Sequence, residues 1–341
     1  MRWDNLRLDV QQRDDRVTLP LFEQGAIVRT FDTPEFRGMT FYEIRAKSII
    51  NRVPDASYVP FRYTINPYRG CQHACSWCFA RNTHTYLDMD YGEDFDSKIV
   101  VKVNAPELVR KELAAKRWRR EHVAMGTNVD PYQRAEGRYK LMRGILEAMR
   151  DFANPFSILT KGTLITRDID LLQECAEVAD VGTNFSAGCV DEDYWRSNEP
   201  GTPSPARRLE AVRKLNDAGI PCGVLMAPIV PFISDTEEMM ERTVSAIAEA
   251  GATHISPIVL HLRKGAREWW MAWLEKNRPD LTPKYKELYG ERAYAPKEFQ
   301  KEIAGKVHAL ARRFGIGKTA SSANARRIAD PPPEPEQLQL A

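Results

Sequence analysis

The sequence lacks a long apolar run and a strong net charge. Its longest apolar stretch, residues 223–233, is too short to cross a bilayer and contains two prolines, so we expect no membrane span. The first ten residues carry scattered charges without an apolar core, which predicts no signal peptide. Because 49 basic residues nearly balance 47 acidic ones, no global positive field indicates nucleic acid, although basic residues are dense at 110–120 and 207–214.

Cysteine is also scarce, and half of it is dispersed. Of six cysteines, Cys175, Cys189 and Cys222 stand apart from one another in segments that resemble helices or strands. Isolated cysteines are typical of reduced thiols, so we expect a cytoplasmic protein. A composition of 43% hydrophobic and 28% charged residues excludes a wholly disordered chain.

The other three cysteines form a compact motif. Cys71, Cys75 and Cys78 lie close enough for one loop to direct three thiolates at a single point. Thiolates bind iron–sulfur clusters, zinc or copper(I). Zinc would need a fourth ligand, and neither a second CxxC nor a zinc-finger HxxxH pair is present. The pattern therefore favours a cluster of four irons with one iron left open, over zinc and over ordinary buried cysteines.

Strands and helices alternate along most of the chain, which predicts parallel strands in a barrel or a doubly wound sheet. Residues 41–51, before this region, predict a short helix. The predicted strands are residues 61–66, 98–103, 122–129, 156–161, 181–187, 222–229 and 254–262. The predicted divisions of the chain are an N-terminal extension at 1–60, the α/β unit at 61–264, C-terminal helices at 265–316 and a disordered Pro-rich tail at 317–341.

Polar side chains follow four of these strands. Ligands gather at the carboxyl ends of parallel strands, so we interpret these side chains as candidates for binding substrate or cofactor. A solvated loop or a lysine at the barrel rim is the alternative. The candidates are Asn128, Asp130, Gln133 and Glu136 after the third strand, Lys161 after the fourth, Asn184 and Ser186 at the fifth, and His261 and Arg263 at the last.

The cysteine motif followed by Phe79 resembles the signature of the radical S-adenosylmethionine (SAM) enzymes. The segments NPYRGCQHACSWCFAR and GTNVDPYQRAEGRY further resemble the branch of spore photoproduct lyase and the DNA-repair photolyase-like proteins. This resemblance implies an α/β fold, a partial (β/α) barrel of about six parallel strands. It also implies that Cys71, Cys75 and Cys78 hold a [4Fe–4S] cluster whose open iron binds SAM.

The resemblance also implies roles for single residues. The implied SAM-binding residues are Phe79 beside the adenine, Lys161 and Ser186 near the carboxylate and ribose, and Ala227 on the wall. Asn184, at the same strand end as Ser186, is a further candidate for cofactor binding. Two features depart from the pattern. The Gly-Glu pair by which many members bind the SAM amine is not evident, and Asn128 or Asp130 is the candidate for that role. Spore photoproduct lyase uses a cysteine at the third strand end as hydrogen-atom donor, and residues 125–128 contain none. The sequence therefore does not predict lesion reversal by that route; Tyr132, Tyr139 or a dispersed cysteine are the alternatives.

The implied mechanism is radical chemistry that no side chain can supply alone. The reduced cluster would cleave SAM, and the 5′-deoxyadenosyl radical would abstract hydrogen from a substrate at the barrel mouth. The predicted substrate residues are Asp130, Gln133, Glu136, His261 and Arg263. A flavodoxin- or ferredoxin-like protein would be the electron donor.

The identity of the substrate stays open in the sequence. A nucleic-acid base is one alternative, and a peptide or small metabolite is another. A non-catalytic protein stapled by zinc or a cluster is a third. The last residues, QLQLA at 337–341, resemble the peptide by which bacterial proteins bind the replication sliding clamp, which would place the protein at DNA.

Overall fold

The computed structural model describes residues 26–55, 57, 59–87 and 89–317. The predictions for the first ten residues and for the Pro-rich tail, including the clamp peptide at 337–341, lie outside the described residues. In the part that is described, no helix is long and apolar enough to span a membrane.

Eleven strands form within these residues. They are β1 Ile27–Arg29, β2 Thr40–Ile44, β3 Ile50–Arg52, β4 Tyr63–Ile65, β5 Tyr68–Arg69, β6 Lys98–Lys102, β7 Val123–Met125, β8 Phe156–Thr160, β9 Val181–Ser186, β10 Cys222–Ile229 and β11 Ile255–Val259. The α-helices are α1 Glu93–Ser97, α2 Ala105–Leu113, α3 Arg134–Tyr139, α4 Leu141–Asp151, α5 Ile169–Val178, α6 Glu192–Asn198, α7 Pro205–Asp217, α8 Glu237–Glu249, α9 Ala266–Asn277, α10 Thr282–Tyr289 and α11 Lys297–Arg313. Four 3₁₀ helices span Pro34–Phe36, Phe79–Leu87, Thr163–Asp168 and Pro279–Leu281.

The larger sheet has the order β3-β4-β7-β8-β9-β10-β11. Strands β4 and β7 to β11 are mutually parallel, and β3 joins the edge antiparallel to β4. Six parallel strands with intervening helices confirm the predicted α/β fold. No pairing joins β3 to β11 among the described residues, so the sheet is open between them.

The parallel strands are apolar because helices cover their outer face. Strand β10 is buried along nearly its whole length. Helices α7 and α8 start where a side chain replaces a missing backbone partner. Ser204 accepts a hydrogen bond from the Arg207 N–H at α7, and Thr236 accepts one from the Met239 N–H at α8. This arrangement directs the carboxyl ends of all six strands to one edge of the sheet.

The smaller sheet corrects one prediction. Strand β6, predicted within the alternating unit, lies instead in a four-stranded sheet of order β1-β2-β6-β5. It pairs in parallel with β2 and antiparallel with β5, and Ile99 and Val101 on it are fully buried against Phe41 and Tyr68. A short apolar strand fits either sheet, so its sequence pattern does not reveal its neighbour.

The N-terminal part holds a second correction. The helix predicted at 41–51 is wrong, since this segment contributes β2 and β3. Both strands gain backbone partners from distant segments, and those partners decide the conformation of a sequence with mixed propensity.

The C-terminal helices pack beside the last strands. Helix α11 contacts β11 and α8. The hydroxyl of Tyr289 donates to the Leu260 carbonyl at 2.6 Å, and that of Tyr285 to the Pro231 carbonyl at 2.9 Å. These buried tyrosines connect α10 to the carboxyl ends of β10 and β11, so this segment reaches the edge where ligands bind.

Candidate active site

The cysteine loop leaves β5 through a glycine turn. Gly70 has φ +78°, and a Cβ there would lie 2.7 Å from the Lys98 carbonyl oxygen, so only glycine fits. The loop is then held by backbone hydrogen bonds from Cys71 to Phe95 at 2.9 Å and from Ser76 to Asn198 at 2.9 Å. The sequence thus positions its three thiols on a loop that is anchored at both ends.

Arg81 holds the cysteine loop in place, a role that the sequence did not predict. Its buried guanidinium donates two hydrogen bonds to the Cys75 carbonyl oxygen, at 3.0 and 3.2 Å, and a bidentate pair to Asp96. The guanidinium also lies 4.8 Å from the centre of the Trp269 ring and 5.2 Å from that of Phe95. A buried cation with this many partners makes the backbone at Cys75 rigid.

Gln133 holds the same loop and does not reach the cavity. Its Nε2 donates to the Gly70 carbonyl at 3.1 Å, and its Oε1 accepts from the Gln72 N–H at 3.1 Å. The side chain is fully buried. Gln133 was predicted to contact substrate, but the structure places it off the cavity wall, with both ends of its amide bonded to the loop backbone.

Glu136 is likewise a structural group. Its carboxylate accepts hydrogen bonds from the Tyr68 hydroxyl at 2.6 Å, from Arg167, and from the Leu141 and Met142 N–H groups at the start of α4. Burial raises the pKa of Glu136, although its bonds with Tyr68 and Arg167 oppose the shift. Glu136 was predicted to contact substrate, but the structure places its carboxylate fully buried and off the cavity wall.

The three cysteines line one cavity of about 200 Å³ at the carboxyl edge of the sheet. The remaining wall comes from the ends of β7 to β11 and their loops. The lining residues besides the cysteines are His73, Trp77, Phe79, Gly126, Asn128, Val129, Asp130, Leu159, Thr160, Lys161, Ser186, Leu225, Ala227, Pro228, Ile258, Leu260 and His261.

All three thiols are free, and burial raises the pKa of each of them. A cluster that binds them as thiolates must offset this cost with its own positive charge. Among the described residues, no three His, Cys, Asp or Glu side chains form a preassembled cage for a metal ion. The thiols therefore share a cavity wall with His73 and Asp130 without forming a preassembled metal site in the described part of the chain.

Asp130 lies on the cavity wall with both oxygens occupied. Oδ1 accepts from the Thr160 hydroxyl at 2.6 Å and the Tyr132 N–H at 2.8 Å, and Oδ2 accepts from the Lys161 N–H at 2.6 Å. His73 Nε2 is 3.0 Å from Oδ2 without the alignment of a hydrogen bond. Burial would raise the pKa of Asp130, but His73 and the donors outweigh it and hold this pKa below its ordinary value.

Lys161 is the centre of a buried charged network. Its Nζ donates to Ser186 Oγ at 2.7 Å and to Glu199 Oε1 at 3.1 Å. Arg208 pairs with Oε2 of the same carboxylate at 2.5 Å and donates to the Ser186 carbonyl at 2.9 Å. Ser186 in turn donates to the Ala227 carbonyl at 2.8 Å. The network joins β8, β9, β10 and α7 at the cavity.

This network carries surplus positive charge. In the part of the chain that the structure describes, Glu199 is the only carboxylate in ion-pair distance of Lys161 or Arg208. Burial would raise the pKa of Glu199, but the two cations outweigh it and lower this pKa. One cation is thus left for the carboxylate of a ligand. Glu199 and Arg208 were not among the predicted site residues.

The two predicted asparagines differ in position. Asn128 lines the cavity, next to Gly126, where a Cβ would lie 1.8 Å from the Leu159 carbonyl oxygen. Asn184 is on β9 two residues before Ser186 and is not on the cavity wall. Its buried Oδ1 has no hydrogen-bond partner among the described residues.

Aromatic groups surround the mouth of the cavity. The Phe79 ring is 39% exposed and lies 5.9 Å from the ring of His261. Burial, with a smaller contribution from the Arg263 charge, lowers the pKa of His261 to about 4, so its imidazole is neutral at neutral pH. Arg263 itself is exposed outside the cavity wall, with its guanidinium 5.9 Å from the Phe79 ring.

The alternative hydrogen-atom donors are away from the cavity. Cys175, Cys189 and Cys222 are buried and do not line it. Tyr132 is buried with its hydroxyl bound to Asp168 at 3.1 Å, and the Tyr139 hydroxyl binds Glu43 at 3.0 Å. Among the described residues, the cysteine loop alone brings thiols to this cavity.

Comparison with known proteins agrees with this geometry. The sequence profile of the radical SAM superfamily matches residues 65–247. The chain belongs to the radical SAM superfamily. An uncharacterised protein of Mycobacterium tuberculosis is 43% identical over 317 residues, which cover 93% of each chain. An uncharacterised protein of Methanocaldococcus jannaschii is 35% identical over 204 residues, covering 59% of this chain and 72% of that protein.

A solved structure shares the fold. A variant of spore photoproduct lyase with bound AdoMet and dinucleoside spore photoproduct aligns with a TM-score of 0.61 and 18% identity, over 81% of this chain and 79% of that one. Radical SAM proteins use a [4Fe–4S] cluster and SAM. The residues present fit both groups: three cysteine thiols on one cavity wall suit a cluster held by three cysteines, and the surplus charge at Lys161 and Arg208 suits the SAM carboxylate.

Proposed function

We propose that this radical SAM enzyme modifies a nucleic-acid base. A [4Fe–4S] cluster held by Cys71, Cys75 and Cys78, reduced by an external electron donor, would supply one-electron cleavage of SAM to methionine and a 5′-deoxyadenosyl radical able to abstract hydrogen from the substrate. The observation that carries the proposal is a single cavity holding the three thiols, the Lys161 network and an aromatic mouth. The cofactor and the substrate would therefore bind in the same cavity.

Each part of the wall has a role in this proposal. Cys71, Cys75 and Cys78 hold the cluster, and Lys161, oriented by Glu199, binds the SAM carboxylate. Ser186 and Asn128 offer a hydroxyl and an amide to the ribose and amine. Phe79 stacks on the adenine, and Ala227 shapes the wall behind it. Leu225, Ile258 and Leu260 line the cavity with apolar groups, which exclude water from a reactive radical.

A nucleobase is supported by the mouth and by the solved neighbour. The His261 ring lies there next to Phe79, with the Arg263 cation nearby, and an aromatic ring together with a cation can stack on a base. The aligned spore photoproduct lyase variant holds a dinucleoside lesion. The competing substrate is a peptide or small metabolite, which is favoured by the missing donor thiol at this cavity.

The test is formation of 5′-deoxyadenosine by anaerobically reconstituted, chemically reduced protein supplied with SAM. We expect the wild type to show cluster absorbance in the visible region and to form 5′-deoxyadenosine. Cys75→Ala should lose both. The control is Cys175→Ala, which removes a buried thiol distant from the cavity. Zinc without iron or sulfide in the reconstituted protein would contradict the proposal and favour a stapled binding protein.

Substrate class is tested by adding single-stranded oligonucleotides, nucleosides or peptide fractions to the same reaction. We expect oligonucleotides to stimulate 5′-deoxyadenosine formation and to bind with an affinity that falls with salt. Stimulation by peptides alone would favour the competing substrate. The electron donor, proposed to be flavodoxin- or ferredoxin-like, is identified by replacing the chemical reductant with each purified protein.

A further inference from the structure

Tyr294 stands at the outer end of a row of rings that begins in the cavity. The ring of His261 lies 5.9 Å from that of Phe79 on the inner side and 5.4 Å from that of Tyr294 on the outer side. His261 and Tyr294 also form an antiparallel backbone bridge, and the Leu262 N–H donates to the Ala293 carbonyl at 2.7 Å. The turn between α10 and α11 is thus attached to the end of β11, so Tyr294 is held in a defined place.

Arg263 connects the two ends of this row. Its Nη2 donates to the Tyr294 hydroxyl at 2.7 Å, and its guanidinium lies 5.9 Å from both the Phe79 and the Tyr294 ring centres. No carboxylate of the described residues forms an ion pair with Arg263. An exposed cation without an acidic partner is available for a phosphate.

Apolar side chains are exposed at the mouth of the cavity. Large hydrophobic side chains that are exposed among the described residues include Phe79, Ile258 and Tyr294, at 39%, 37% and 46%. Phe79 and Ile258 line the cavity and Tyr294 contacts its neighbour His261. Apolar groups gathered beside a cavity are typical of a binding surface. A planar ring attached to a phosphate matches both the ring faces and the cation.

The geometry points to Tyr294 and Arg263 as a stacking platform that holds an unpaired nucleobase of the substrate strand outside the SAM cavity, an inference that rests on the proposed function. Phe79 faces the cavity and serves the cofactor, whereas Tyr294 lies one ring further out. Tyr294 is beyond residues 65–247, the part shared with the superfamily profile. This position fits a role in binding the substrate rather than in cleaving SAM.

The test is fluorescence anisotropy of the full-length reconstituted protein with a labelled single-stranded DNA oligonucleotide and with an abasic strand of equal length. Base stacking on an aromatic side chain is worth enough for Tyr294→Ala to weaken oligonucleotide binding about tenfold. We expect Tyr294→Phe, which keeps the ring, to lose much less, and the abasic strand to be insensitive to Tyr294→Ala. Arg263→Ala should lower the slope of log affinity against log salt by about 1.

Tyr86→Ala is the matched control, because Tyr86 is a 53% exposed tyrosine that does not line the cavity. It should bind the oligonucleotide like the wild type. The platform would be overturned if wild type and Tyr294→Ala bound the oligonucleotide equally well. It would also be overturned if the wild type bound the abasic strand as tightly as the oligonucleotide, or bound neither strand. Cluster content and 5′-deoxyadenosine formation without oligonucleotide are measured in the same preparations. If the wild type binds the oligonucleotide and keeps both properties while Tyr294→Ala binds equally, only the platform is wrong. If the wild type binds no oligonucleotide, or lacks the cluster and 5′-deoxyadenosine formation, the proposed base modification fails as well.

Discussion

Lys161 Nζ lies 3.1 Å from Glu199 Oε1, although 38 positions separate the two residues in the chain. The pair is buried, and Arg208 binds the other carboxylate oxygen. Two cations that share one carboxylate at the wall of a cavity form a site for a further anion. We therefore expect the Lys161–Glu199 pair to contribute both to the stability of this edge of the sheet and to cofactor binding.

Removal of the lysine should weaken SAM binding. A charge-assisted hydrogen bond contributes about 1.5–3 kcal/mol, so we expect Lys161→Ala to raise the dissociation constant of SAM by about 10- to 100-fold. Isothermal titration of the reconstituted protein measures it. Lys214→Ala removes a lysine from an exposed pair with Glu210 and should leave the constant unchanged. Equal SAM affinity in Lys161→Ala and wild type would contradict this assignment.

Removal of the carboxylate should destabilise the fold. Glu199→Gln leaves two buried cations without their counter-charge, and breaking such a pair costs about 3–5 kcal/mol of unfolding free energy. Chemical denaturation measures the change. Glu174→Gln breaks an exposed pair with Arg150 and should cost about 0–1 kcal/mol. If Glu199→Gln were as stable as the wild type, the Glu199 carboxylate would not stabilise the fold.

The stability conferred by Glu199 should depend on pH. Its pKa is lowered below the ordinary value of 4.5 in the folded protein, so the stabilisation is fully present above about 4.5 and is lost as the pH falls through the folded pKa. The difference in unfolding free energy between wild type and Glu199→Gln should therefore shrink on acidification. Denaturation curves at several pH values check this. A constant difference would mean that another group carries the titration.

Gln133 should control cluster content rather than substrate affinity. Gln133→Ala removes two hydrogen bonds from the backbone of the cysteine loop, so we expect less iron per chain and weaker cluster absorbance after reconstitution. Gln173→Ala, which removes one hydrogen bond to Ala218 from an exposed glutamine, is the control and should keep full iron content. If Gln133→Ala had normal iron content but bound substrate more weakly, Gln133 would instead be a substrate residue.

His261 should titrate well below an ordinary histidine. Its pKa is lowered from 6.5 to about 4, so between these values the unfolded chain takes up a proton that the folded protein does not. Unfolding free energy should fall as the pH drops through this range, and His261→Asn should remove that contribution. NMR titration of the histidine ring protons and denaturation at several pH values measure it. His308→Asn, on an exposed face of α11, is the control. A His261 resonance that titrates near neutral pH would contradict the expectation.

Much of the fold was predictable from local patterns. The strands β8, β9 and β10 lie where the sequence predicted them. For β10 the reason is burial along nearly its whole length, which demands continuous apolar sequence. Strand β6 could not be assigned to its sheet, since its pattern fits any buried strand. Segment 41–51 was misassigned as a helix, since its strands depend on partners that the local sequence does not reveal.

The sequence by itself determined the three-cysteine loop, the parallel α/β fold and the polar residues Asp130, Lys161, Ser186 and His261 at the strand ends, because spacing and periodicity are local properties. Only the tertiary structure decided that Gln133 and Glu136 hold the scaffold, that Glu199 and Arg208 join Lys161, and that Tyr294 stands at the mouth. These roles depend on which distant segments meet when the strands are ordered in the sheet. That order follows from packing of the whole chain and is written in no single motif.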